Sequence, residues 1–214
     1  MQSASGIEDP AAWTVQERML AVCHYLAATA ENGPDFEVGA AGRYSDYLDG
    51  ANDILADQYE VGAAGGDDWN IRHLTGYMAE SIERMSGEVQ DAHGRSITGR
   101  LHWMLGAMSL QMLRAGESVP DENAPAGAFD EFLVERMRVI SAFPESEFAA
   151  LIGLFFSGRE KLHHLFRIEL SAEGVVAMPK GGAAANLPPA RFPVRTCLTA
   201  LALELGGKPD GGGG

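Results

Sequence analysis

From Asp68 to Gly116 apolar residues recur at helical spacing on both sides of Gly94, and this regularity limits the possible folds more than any other feature of the chain. Ile71, Leu74, Met78, Ile82, Met85 and Val89 follow a 3-4-4-3-4 rhythm, which puts them on one face of a helix. Ile97, Leu101, Met104, Leu105, Met108 and Met112 form a second such set. Gly94 accepts the left-handed conformation that ends a helix, and Ser96 offers an oxygen to the unpaired amides that begin the next. The pattern predicts an antiparallel helical hairpin. One helix kinked at Gly94 is the competing reading, since a lone glycine costs only about 1 kcal/mol relative to alanine.

The same reasoning places helices elsewhere. Thr14-Val15-Gln16-Glu17 has the form of a capping box, so a helix starts near Thr14, carries Val15, Met19, Val22 and Leu26 inward, and stops at Asn32-Gly33-Pro34. Glu117 to Gly127, with Pro120 and Pro125, reads as a loop and as the best internal boundary. Beyond it one helix carries Phe129, Leu133, Met137 and Ile140, and Pro144 opens another with Phe148, Leu151, Ile152 and Phe155 inward. Ser157-Gly158-Arg159-Glu160 predicts a further short helix through Leu162, Leu165 and Phe166. Val175 to Met178 has no evident strand partner and reads as extended loop. A last helix takes Val194, Leu198, Leu201 and Leu205, and Lys208 to Gly214 reads as a disordered tail. The expectation is an all-α chain: one domain over residues 1–207, a bundle of about seven or eight helices around the central hairpin.

Charge narrows the function. The chain's net charge of −14 is concentrated at its start, where residues 1–68 hold 13 acids against Arg18 and Arg43. Such a surface disfavours direct nucleic acid binding and anionic membranes and suits a basic partner protein. No run of about 18 apolar residues marks a membrane span, and Met1 to Asp9 lacks the basic start and apolar core of a signal peptide, so the expected location is cytoplasmic. Cys23 and Cys197 are too few and too far apart for a metal motif and read as buried thiols.

Between two copies of Glu-Val-Gly-Ala-Ala-Gly, at 37–42 and 60–65, Tyr44, Leu48, Ala51, Leu55 and Tyr59 suggest a helix face opposite Asp46, Asp49, Asp53, Asp57 and Glu60. The two copies read as glycine-rich connectors flanking that helix. Asp46, Asp49, Asp53 and Asp57 are the candidate partner-binding residues, because like charges along one stripe repel and call for solvent, a cation or a basic partner. Candidate metal ligands are Asp49 and Asp53 with Glu80 and Glu83, and separately the Glu160-x-x-His163 pair, which puts a carboxylate and an imidazole on one face. His164 and Arg167 are expected to share that hydrated face. Glu80-Ser81-Ile82-Glu83 and Glu88-Val89-Gln90-Asp91 resemble the acidic elements of the all-α MazG-like nucleotide pyrophosphohydrolases. In that family, however, the two elements lie on separate helices, whereas here one helix is expected to carry both.

The function expected is a noncatalytic acidic module that binds or assembles with another protein, and the composition is compatible with a homo-oligomer. No cofactor is expected. The alternatives are a carboxylate- and magnesium-dependent hydrolase of nucleotides or phosphate esters, and a pocket for an apolar ligand between methionine-rich helices.

Overall fold

Asp68 to Arg72 is a strand rather than the start of a helix. Trp69 and Ile71 are buried while Asp68, Asn70 and Arg72 are exposed or half-buried, an alternation with the period of two that a sheet with one dry face imposes. Our computed structural model describes residues 10–29, 33–38, 42–49, 56–91, 93–120 and 126–191. Over these residues the protein is a mixed α/β fold with five α-helices and three antiparallel sheets, which overturns the expected all-α bundle of seven or eight helices.

Helix α1 (Val15–Thr29) follows a short 3-10 turn, and its capping box forms as expected. The Thr14 amide donates to the Glu17 carboxylate at 2.8 Å and the Glu17 amide to the Thr14 hydroxyl at 3.1 Å. Strands β1 (Glu37–Val38) and β2 (Gly42–Arg43) then make a minimal ladder. The described residues of the stretch 44–59 do not form the expected helix: Tyr44–Asp46 is a 3-10 turn and a strand begins at Gln58, while Asp53 and its neighbours at 50–55 lie outside the described residues.

The second Glu-Val-Gly-Ala-Ala-Gly copy is the end of that strand. Strand β3 (Gln58–Ala64) turns through Gly65-Gly66 into β4 (Asp67–Arg72), with Ala64 opposite Asp67. Both turn glycines have positive φ, +62° and +86°, as a two-residue hairpin turn that matches the strand twist requires. Helix α2 (Gly76–Arg84) is short, and the described residues from Met85 to Thr98 are loop, so Gly94 lies between helices without joining them directly. Helix α3 (Gly99–Gln111) packs against α2 and runs without a loop into β5 (Met112–Arg114), which pairs with β4.

Helix α4 (Ala126–Ser141) buries Phe129, Leu133, Met137 and Ile140 as the sequence predicts and lies along α3. Helix α5 (Glu145–Lys161) begins after Pro144 but does not break at Ser157. Gly158 is needed there for packing: a Cβ on it would lie 2.7 Å from Val61 and 2.9 Å from Ile71, so only glycine lets α5 lie this close to β3 and β4. Strands β6 (Ile168–Ser171) and β7 (Gly174–Ala177) form a hairpin, giving Val175 and Val176 the partner that the sequence did not reveal. The expected helix over Val194 to Leu205 and the tail lie outside the described residues. No described helix is long and apolar enough to cross a membrane.

Candidate functional site

Helix α4 carries more apolar surface than one core needs. Beside its buried face runs a second row, Phe132, Arg136, Val139 and Phe143, spaced 4-3-4, the last of these just past the helix end. This row forms one wall of a cleft of about 500 Å³ whose other wall is Trp69 and Arg114 from the three-stranded sheet. Trp69 is 1% exposed and its indole Nε1 donates to the Ala64 carbonyl at 3.0 Å, so the cleft's wall is fixed. Val139, in contrast, is 43% exposed.

Arg136 ties the cleft together. Its Nη2 donates to the Met112 carbonyl at 2.6 Å and its Nη1 to the Glu117 carboxylate. Its guanidinium lies 5.7 Å from the Phe132 ring centroid and 6.0 Å from that of Trp69, within cation–π range. Burial would raise the Glu117 pKa, but hydrogen bonds from Arg136 and from the Arg114 amide outweigh it and hold the carboxyl below its usual range. Arg114 lies 5.5 Å from the Trp69 centroid and pairs with Asp67 at 3.0 Å. Both arginines are thus already matched by carboxylates.

Glu131 and Glu135, four residues apart on α4, line this cleft and also a neighbouring hollow of about 590 Å³ that includes Met85, Glu88, Asp130 and Val134. They form an exposed acidic ridge between the two. Among the described residues only Arg138 pairs with Glu135, at 3.8 Å, with both side chains more than half exposed. Asp130, below the ridge, is occupied: Arg84 grips it at 2.7 and 2.8 Å and the Ser81 hydroxyl donates to it at 2.5 Å. The Arg84 bond foremost lowers its pKa.

The residues singled out from the sequence are dispersed. Asp46 accepts the Arg43 amide at 2.9 Å and caps its own 3-10 turn; Asp49 and Asp57 are exposed, on either side of the segment that contains Asp53. Among the described residues none of these aspartates lies on an α-helix. Glu80 is held by Arg18 at 2.7 Å, and Glu83 is exposed on the same helix. Glu88 and Asp91 lie in the loop after α2 rather than on the helix with Glu80 and Glu83. Asp91 accepts the amides of Arg95 and His93, and chiefly the Arg95 amide pushes its pKa down to about 2.

Glu160 and His163 do meet, at 3.4 Å, but Glu160 also pairs with Arg167 at 3.3 Å. Burial lowers the His163 pKa and Glu160 opposes that shift. His164, expected on the same hydrated face, is instead 4% exposed and bonded inside the fold. Among the described residues no three of His, Cys, Asp and Glu come together in a way that would hold a metal ion, so the metal-binding expectation has no site there. The methionines Met78, Met108 and Met112 are core, at 1% exposure or less. No known family model, curated protein or solved structure matches this chain.

Proposed function

We propose that the protein is a noncatalytic acidic interaction module and that the cleft beside α4 receives a basic, amphipathic segment of a partner protein. One observation carries this reading. Along α4 and just past its end, Phe132, Val139 and Phe143 offer apolar surface to the cleft while Glu131 and Glu135 stand exposed at its lip. A segment with apolar residues on one side and Lys or Arg on the other meets both at once, which is how helical segments dock in grooves. Because Arg114 and Arg136 are matched by Asp67 and Glu117, the ridge sets the local sign, in keeping with the net −14 of the chain. Exposed apolar surface rimmed by charge is the usual mark of a protein contact.

The test uses a fluorescein-labelled 18-residue amphipathic Lys/Leu peptide, followed by anisotropy against a scrambled peptide of equal composition. Saturable binding is expected, at least 10-fold weaker for the double variant Glu131→Gln, Glu135→Gln and for Val139→Glu. Equal binding of the scrambled peptide, or no change in the double variant, removes this reading. If the apolar dye anilinonaphthalene sulfonate fills the cleft stoichiometrically and the labelled peptide does not displace it, the site is one for a small apolar ligand.

A further inference from the structure

The hydrogen bonds at the first turn of α1 require one more proton than a Glu17 carboxylate and a neutral His164 provide. Thr14 Oγ1 lies 2.9 Å from His164 Nε2 and 3.0 Å from Glu17 Oε2, while it accepts the Glu17 amide. A hydroxyl has one hydrogen and can donate to only one of these two. His164 Nδ1 lies 2.9 Å from the Leu162 carbonyl oxygen, which can only accept, so Nδ1 carries a hydrogen. If the Thr14 hydroxyl donates to Glu17, Nε2 must carry a hydrogen as well, and His164 is an imidazolium. If the hydroxyl turns to Nε2, the imidazole is neutral and the Glu17 carboxylate faces an oxygen lone pair at 3.0 Å.

We propose that Glu17, Thr14 and His164 together bind one proton in the folded protein, the Thr14 hydroxyl turning from His164 to Glu17 as that proton arrives, so that this seam is a proton-sensitive joint. Thr14 is 5% exposed and His164 4%, so water screens little of the charge. The surrounding groups fit this balance. From α1 come Glu17 and Arg18, the latter paired with Glu80. From the link between β4 and α2 comes His73, whose ring meets His164 edge-on at 4.9 Å between centroids. From the exit of α5 come His163 and Arg167, both turned to Glu160, and before β3 comes Asp57, whose field reaches His73.

The joint holds three distant parts of the chain together. The Val15 amide donates to the Leu74 carbonyl at 2.9 Å and the Gly76 amide to the Trp13 carbonyl at 2.8 Å, so α1 and the β4–α2 link move as one. The α5 exit is attached through His164. Its neighbour Leu165 has φ +57°, a strained conformation for a side-chain-bearing residue, and its carbonyl accepts the Asp49 amide at 2.7 Å. A proton on His164 makes its bond to Thr14 charge-assisted and tightens the attachment.

Nitrogen-15 NMR of the histidine rings from pH 8.5 to 5 tests this in the full chain. His164 Nδ1 should remain protonated throughout while Nε2 changes from unprotonated to protonated as the pH falls. Glu17→Gln keeps the capping box, because glutamine serves that position as well. It should move the midpoint of the His164 change down by about one pH unit, as expected for removal of a nearby opposite charge, and Thr14→Ser should leave it in place. A His164 Nε2 signal that does not change over this range, or a midpoint unmoved in Glu17→Gln, overturns the proposal.

Discussion

His73 is buried with its Nε2 3.2 Å from the Ala56 carbonyl and its Nδ1 without a hydrogen-bond partner among the described residues. Burial first, and then His164, lower its pKa from the ordinary 6.5. The unfolded chain therefore takes up a proton at this residue more readily than the folded one. Stability from this source is complete above about pH 6.5 and declines as the pH falls below it, and His163, also lowered by burial, adds in the same direction. Between pH 7.5 and 5 the urea midpoint of His73→Gln should therefore change in the stabilising direction relative to that of the unsubstituted protein, the difference isolating His73 from the opposing proton on His164. At the cleft, Arg136→Met removes the partner of Glu117 and of the Met112 carbonyl. Because Glu117 retains 26% side-chain exposure, the loss should be about 3 kcal/mol, the low end for a broken buried pair, read by urea denaturation.

Helix α5 contains two glycines that should respond oppositely to the same substitution. Gly158→Ala drives a methyl into Val61 and Ile71 and should destabilise by about 1–2 kcal/mol, overpacking outweighing the gain in helix propensity. Gly153 is exposed with no atom within 4 Å of an added Cβ, so Gly153→Ala should stabilise by up to about 1 kcal/mol. Thermal melts of the two variants decide this. What could be read from the sequence follows the same division between local and distant causes. The capping box at Thr14 and the inward row of α4 are set by residues within one or two turns, and both form as read. Strand β4 reads as helix because Ile71, Leu74 and Met78 happen to keep helical spacing across the end of a strand, although Gly65-Gly66 and the alternation around Trp69 mark a hairpin. Strand β7 is recognisable only through its partner β6, and α5 runs through Ser157 because Gly158 answers to Val61, almost a hundred residues earlier. The candidate site divides likewise. The row Phe132, Val139, Phe143 is visible in the sequence, whereas Trp69 and Arg114 join it only through the strand pairing of β4 with β5.

At the scale of the molecule, an excess of 14 negative charges works against compactness and for capture of a basic partner. Salt should separate the two effects. Raising sodium chloride from 0.05 to 0.5 M should raise the melting temperature by a few degrees while weakening the Lys/Leu peptide at the cleft, since screening relieves repulsion and attraction alike. Helix α3 enters strand β5 with no intervening loop: the Met112 amide makes the last helical bond, to Met108, and its carbonyl receives Arg136 at 2.6 Å. With no slack at that residue, the cleft and the helix are parts of one lever. A peptide that immobilises Arg136 should stiffen α3 from its far end, slowing amide hydrogen exchange at Met108 to Met112, residues the peptide never touches.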